Sequence, residues 1–244
     1  MDYNKTRTPK KLQVRVFLEG FMISENVKNI LSELSGGNPY GEKVTLVAAT
    51  KTRTPEEINE AIEAGVTDIG ENRVQEFVEK YDLVRNAARH FIGHLQTNKV
   101  KYLIGRTDLI HSLDRFELAD ELQKRSEKAG WTANCLLEIN LGNELSKSGF
   151  SLDSAKEAYE RAIKYPNLRI CGFMAMLPIS EDEKYLRSLC LCMREIYDTI
   201  KARDENVRVL SMGMSGDYRL CVECGSNMVR LGTHIFGPRA YNLK

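Results

Sequence analysis

Two runs constrain the fold of this 244-residue chain more than anything else in it: Val44–Thr50 (VTLVAAT) and Asn134–Asn140 (NCLLEIN). Both are too continuously apolar for a sheet with one wet face, in which apolar and polar residues alternate. They suit parallel strands buried on both sides. Further short apolar, β-branched runs follow the same rhythm at Thr67–Gly70, His90–Gly93, Leu109–Leu113, Arg169–Met176, Arg208–Met212 and Met228–Gly232, and the second long run extends over Ala133–Asn140. Between them lie helical faces with apolar residues three and four apart, such as Ile58, Ala61 and Ile62, then Ala155, Ala158, Tyr159 and Ala162, then Leu186, Leu189, Met193, Ile196, Tyr197 and Ile200. Eight strands joined by helices with right-handed crossovers close most naturally as an α/β fold of the (β/α)8 barrel type. A doubly wound open sheet accommodates the same elements.

Helix punctuation supports the division. Thr54-Pro55-Glu56-Glu57 combines an N-cap, a proline at the first helical position and a glutamate three residues after the cap. Ser180 with Glu183 repeats that spacing, and Asn72 with Gln75 is a weaker version. Gly65 and Gly130 stand where helices end, and Pro166 stops a helix that begins near Ser151. The segment from Leu12 to Leu34 reads as one or two extra helices before the first strand. One domain spanning 1–244 is expected, with residues 1–43 as a helical extension packed on it.

Composition narrows the function classes. Thirty-five Lys and Arg face 34 Asp and Glu, a net charge of +1, which removes the main electrostatic reason to expect nucleic acid. No apolar run approaches the roughly 20 residues of a membrane span; the stretch Cys171–Ile179 is short and broken by Gly172 and Pro178. The N-terminus, MDYNKTRTPKK, lacks the apolar stretch of a signal peptide. Six cysteines in a chain this long make no disulfide framework, and the lone Cys221-x-x-Cys224 has no second pair at metal-ligand spacing. The expectation is a cytoplasmic, reduced protein.

In a barrel, chemistry sits at the C-terminal ends of the strands. Lys51, directly after VTLVAAT, falls at that mouth, where desolvation favours the free amine, a nucleophile towards aldehydes; a solvated loop lysine is the equal alternative. Gly213 and Ser215 after the penultimate strand, with Gly232 and Thr233 after the last, provide small residues and hydroxyls where barrels hold phosphate. Arg230, inside the last strand, needs a partner: either a strand carboxylate such as Glu138 or a ligand nitrogen. His94 and Asn72 end earlier strands; for Asn72 the N-cap role is the stronger reading. An aldehyde-capturing lysine and a phosphate cup at one mouth call for a small molecule with a carbonyl and a phosphate, either pyridoxal phosphate or a sugar phosphate handled by a Schiff-base aldolase.

Seven segments, in order, carry a more specific signal: LVAATKTRTPEEI, DIGENRVQE, HFIGHLQTNK, LEINLGNELSKSGF, GFMAMLP, LSMGMSGD and VRLGTHIFGPR. From about Val44 to Arg239 the chain resembles the pyridoxal phosphate homeostasis protein family, the proline synthetase co-transcribed homologues. That family looks like the barrel domain of alanine racemase (fold type III of the pyridoxal phosphate proteins) without its second domain. The resemblance implies pyridoxal 5'-phosphate held covalently on Lys51 as an internal aldimine, its phosphate on Ser215, Gly232 and Thr233, and Arg230 facing the pyridine nitrogen. Asn72, His94 and Met212 would lie beside the cofactor. Thr50 stands where relatives often have serine and keeps the hydroxyl.

A guanidinium stays charged and accepts no proton, so the ring nitrogen it contacts stays unprotonated and is a poorer electron sink than a pyridinium. In the similar racemases a second base comes from a partner's extra domain; here the sequence stops at Lys244, so the mouth is expected to be open to water. The resemblance thus implies a pyridoxal phosphate binding protein of vitamin B6 and amino-acid homeostasis, monomeric, handing cofactor transiently to apo-enzymes and without catalytic turnover. An amino-acid racemase or lyase using Lys51 as base is the alternative.

Overall fold

The computed structural model describes residues 23–142 and 148–238. In chain order its strands are β1 (Thr45–Ala49), β2 (Asp68–Glu71), β3 (Ala88–Phe91), β4 (Leu109–Leu113), β5 (Ala133–Asn140), β6 (Phe150–Ser151), β7 (Leu168–Met176), β8 (Val209–Met212) and β9 (Met228–Leu231). All pairings are parallel. The order β4-β3-β2-β1-β9-β8-β7-β5, with β4 also paired to β5, closes eight strands into a barrel and leaves the two-residue β6 hanging on β5. The open-sheet alternative is thereby excluded.

Closure makes two cores out of one sheet. Inside, Val47, Leu109, Leu136, Cys171, Met174 and Met228 form a compact lumen cluster. Outside, neighbours of those residues such as Leu46, Ala48, Ile110, Leu137, Phe173 and Val229 pack beneath the helices. The double burial that made VTLVAAT and NCLLEIN continuously apolar is this inside-and-outside packing. In β7 the register steps from Cys135↔Ile170 to Leu136↔Gly172, so Cys171 is an extra residue. That bulge reverses the alternation, sending Phe173 outward and Met174 inward. Only glycine fits next to it: a Cβ on Gly172 would lie 1.9 Å from the carbonyl oxygen of Val209, at a φ of +141°.

The helices are α1 (residues 23–34), α2 (Pro55–Glu63), α3 (Val74–Lys80), α4 (Phe116–Ala129), α5 (Ala155–Ala162), α6 (Glu183–Lys201), α7 (Tyr218–Glu223) and α8 (Thr233–Phe236), with a 3-10 turn over Thr97–Tyr102. Thr54 makes the full capping box with Glu57 at the start of α2, and Gly130 ends α4 at a φ of +61°. The cap expected at Ser180 forms two residues later, without the reciprocal bond of a box. Asp182 is the N-cap and accepts from the Tyr185 amide, because Ser180 is engaged with the Asp182 amide instead. Helix α5 starts at Ala155 rather than near Ser151, whose hydroxyl closes the turn before it.

Helix α1 is the described part of the N-terminal extension. Ile23, Val27, Ile30 and Leu34 share a cluster with Ile58 and Ala61 of α2 and Ile235 of α8, and Asn26 Nδ2 donates to the Ile235 carbonyl at 3.1 Å. Residues 1–22 of the expected extension, residues 143–147 within LEINLGNELSKSGF and Arg239 at the end of VRLGTHIFGPR lie outside the described residues.

Candidate functional site at the barrel mouth

Lys51 follows β1 at the C-terminal rim and is half-buried. Its flanks are held from behind. Thr52 has a φ of +64°, the single left-handed non-glycine backbone among the described residues, a conformation that costs about 1–2 kcal/mol. The cost is offset by a hydrogen bond from the Thr52 amide to Glu76 Oε2 at 2.7 Å. Lys80 Nζ then ties the assembly together, donating to the Thr50 carbonyl at 3.0 Å, Glu71 Oε1 at 2.8 Å and Glu76 Oε2 at 3.0 Å. The Thr50 hydroxyl donates to the same Glu71 oxygen at 2.7 Å. Burial raises the Glu71 carboxyl, and its contacts with Lys80 and Thr50 only partly oppose this. The peptide on each side of Lys51 is therefore clamped.

The loops after β8 and β9 meet beside it. Gly213 turns at a φ of +102°, where a Cβ would come 2.8 Å from Tyr218 Cα. Asp217 Oδ1 accepts from the Met214 amide at 2.6 Å, so the loop carrying Ser215 and Gly216 is drawn tight against the start of α7. The Arg230 amide donates to the Gly213 carbonyl at 3.0 Å and ties the turn after β8 to strand β9. Gly232 opens α8, and a Cβ there would sit 3.3 Å from the Ala49 carbonyl oxygen. This close approach seats Gly232 and Thr233 against the strand end that carries Lys51. Ser215 and Thr233, with the first turns of two short helices, thus stand at the same C-terminal rim as Lys51, and their hydroxyls and amides are suited to an anionic oxygen group.

Below the rim, Arg230 points into the lumen, 5 % exposed. Its Nη1 donates to the Ser211 carbonyl at 2.9 Å and Ser211 Oγ at 2.6 Å, and its Nη2 donates to the Ala175 carbonyl at 3.2 Å. The hydrogen-bonded ion pair with Glu138 does not form; Glu138 acts on Arg230 only through its charge. Burial, reinforced by Asp114 and opposed by Arg230 and Arg115, pushes the Glu138 carboxyl up to about 7. His94 is exposed at the rim, with Nδ1 3.1 Å from Asp114 Oδ2 and 3.2 Å from Ser148 Oγ. Asn72 is not a helix cap. Arg73 occupies that position without a side-chain bond, and the Asn72 Oδ1 is buried with no hydrogen-bond partner. Gly93 lies against the Asn72 backbone, where a Cβ would come 2.2 Å from the Asn72 carbonyl oxygen.

The alanine racemase N-terminal domain model matches residues 23–240. The chain belongs to that family. Among curated relatives, the pyridoxal phosphate homeostasis protein of Aquifex aeolicus is 44 % identical over 200 residues, covering 80 % of this chain and 87 % of the relative. Its namesake from Escherichia coli K12 is 36 % identical over 235 residues, 91 % of this chain and 99 % of the relative. These relatives place the chain among the pyridoxal phosphate homeostasis proteins. The solved structure of PipY from Synechococcus elongatus with pyridoxal phosphate bound superposes with a TM-score of 0.75 at 29 % identity, over 88 % of this chain and all of PipY. Alanine racemase of Clostridium difficile superposes at 0.72 with 15 % identity, over 92 % of this chain and 60 % of that one, which shows a shared barrel.

Lys51, Asn72, His94, Ser215, Gly232 and Thr233 all come to the C-terminal rim, and Arg230 lies just beneath it. Met212 is placed differently. It is fully buried in the outer core with Leu210, Met193 and Cys221, turned towards the helices, so it supports the loop after β8 from behind. Sequence reasoning missed Ser211, His111, His90 and Asp68 in the lumen, and the Lys80, Glu71 and Glu76 clamp. The inward alternation of β8 carried a signal for Ser211, two residues before Gly213. For Lys80 none existed, because it lies at the far end of α3.

Proposed function

We propose that this chain binds pyridoxal 5'-phosphate covalently through Lys51 and serves its intracellular homeostasis, and that of amino acids, without catalytic turnover. The observation that supports this reading best is the seating of Gly232 on Ala49. It sets two anion-suited loops beside a clamped lysine, with a buried guanidinium below. When bound, the cofactor supplies an aldehyde that amines capture and a ring that withdraws electrons from carbon. The protein's own groups do the rest. Lys51 provides the amine, Ser215, Gly232 and Thr233 grip the phosphate, and Arg230 faces the ring nitrogen while keeping its proton. Asn72 Oδ1, buried without a partner among the described residues, fits an acceptor for a donor on the ligand.

One feature supports a carrier over a racemase or lyase. Arg230 disfavours a protonated ring nitrogen, which weakens stabilisation of a carbanion. The chain acts as a monomer that passes cofactor to apo-enzymes, in the cytoplasm; no helix of the described residues is long and apolar enough to cross a membrane. One observation favours a second reading. Glu138, a buried mouth carboxyl near 7, has the proton affinity of a general acid or base.

The test is direct. Protein incubated with pyridoxal phosphate, reduced with borohydride and digested is expected to carry the cofactor mass on Lys51, with no adduct there in Lys51→Ala. An adduct confined to another lysine overturns the proposal. Rapid α-proton exchange of alanine in deuterated water, lost in Glu138→Gln, would establish the second reading.

A further inference from the structure

A continuous line of polar contacts runs down the lumen beneath the mouth. Arg230 Nη1 donates to Ser211 Oγ at 2.6 Å, and Ser211 Oγ lies 3.3 Å from His111 Nδ1. His111 Nε2 is 2.8 Å from His90 Nδ1, and His90 Nε2 is 3.1 Å from Asp68 Oδ1. The members come from β9, β8, β4, β3 and β2. The first four are exposed by 5 % or less. Asp68, the first residue of β2, keeps 17 % of its side chain exposed at the opposite end of the barrel from Lys51.

The chemistry of the two ends sets the direction of every proton. Burial raises the Asp68 carboxyl, but hydrogen bonds from His90 and Thr67 outweigh it and hold it below its ordinary value. As a carboxylate it only accepts, so His90 Nε2 carries a hydrogen. At the other end a guanidinium only donates, so Ser211 Oγ accepts from Arg230 and gives its own hydrogen to His111 Nδ1. Burial above all, with the positive charge of Arg230 nearby, keeps His111 neutral. Its single hydrogen therefore sits on Nε2 and goes to His90 Nδ1. In this arrangement each contact has one donor and one acceptor. With the hydrogen on Nδ1 instead, two lone pairs would face each other at 2.8 Å unless His90 took up a further proton.

Such a line does more than fill space. A buried guanidinium without a hydrogen-bonded carboxylate needs aligned dipoles around it. Because His111 claims the Ser211 hydrogen, the oxygen's lone pairs stay turned towards Arg230, and successive bonds polarise one another. Resting on the reading that Arg230 faces the pyridine nitrogen, we propose that His111, His90 and Asp68 are positioning residues that hold the guanidinium through Ser211 and so govern the protonation of the cofactor ring from the far end of the barrel.

The test has two arms on the full chain. Without cofactor, long-range proton–nitrogen correlation spectra of labelled histidines are expected to show His90 and His111 both as Nε2–H forms; an Nδ1–H form of His111 overturns the relay. With pyridoxal phosphate carrying nitrogen-15 in its ring, the ring resonance is expected to move towards the protonated position in His111→Phe, Asp68→Asn and Ser211→Ala. Ser211→Thr, which restores the hydroxyl, should bring it back. Bound cofactor with an unmoved resonance in folded Ser211→Ala and Asp68→Asn overturns the relay alone. Correct tautomers with no uptake of cofactor overturn the function proposed above and, with it, this role.

Discussion

Two polar networks tie distant parts of this protein together, and they handle charge in opposite ways. Outside the barrel, Glu42 gathers Arg194 Nη1 at 2.6 Å, Asn38 Nδ2 at 2.9 Å and the Lys201 ammonium, joining the segment before β1 to α6. Burial raises this carboxyl, yet the hydrogen bonds from Lys201, Asn38 and Arg194 overcome that and hold it at about 2. Inside, the line from Arg230 to Asp68 keeps charge at its two ends and passes through histidine and serine. Full charges suit a knot with an edge in water, where desolvation is incomplete. Across a lumen, dipoles are cheaper than ions, and they can transmit a preference from one end to the other.

If that contrast is real, the two networks fail differently. The largest effect is expected for Glu42→Gln, which takes the carboxylate from Lys201 and leaves Asp198 as the counter-charge of the buried Arg194. It should lower stability to urea by about 2 kcal/mol, discounted for the water that reaches the knot from one side, with the spectrum of bound cofactor unchanged. A cofactor spectrum that shifts with Glu42 would erase the distinction.

The acid limbs should separate too. His111 is depressed in the folded state relative to an ordinary 6.5, so the unfolded chain binds more protons below that value. Stability contributed by keeping it neutral is present above 6.5 and lost as pH falls, about 1.4 kcal/mol for each unit below. Glu42 is likewise depressed, from 4.5 to about 2, and its contribution is lost only between those values. In urea titrations from pH 7.5 to 5.5 the raised Glu138 contributes with the opposite sign, gaining stability as pH falls below about 7. His111→Gln should therefore turn the profile towards rising stability at the acid end, and Glu42→Gln should leave its shape alone. The smallest effect is expected for Ser211→Ala, about 1 kcal/mol. A loss matching that of Glu42→Gln would mean that the lumen line is chiefly a stabilising device.

Much of the frame was legible from residue order. VTLVAAT and NCLLEIN announced strands buried twice, and the Thr54 box marked where β1 had to hand over to α2. Lys51, Ser215, Gly232 and Thr233 followed from the rule that chemistry sits at strand C-termini. Readings failed where a nearer partner took over. Ser180 lost its helix to Asp182 because its hydroxyl is taken by the Asp182 amide, and Asn72 does not cap because the helix after it begins one residue later, with Arg73 at the cap position. Met212 read as a mouth residue from its place in LSMGMSGD, but strand alternation turns it outward.

Local periodicity and capping chemistry were thus enough to determine which segments are strands, where helices begin, and which residues arrive at the rim, since those depend on neighbours within a few positions. Closure of β4 onto β5 decided the rest. It set Asp68, His90, His111, Ser211 and Arg230 from five strands in one line, and Lys80 behind Lys51, because such contacts arise from the distance between strands once the ring is shut, a quantity that no run of adjacent residues encodes.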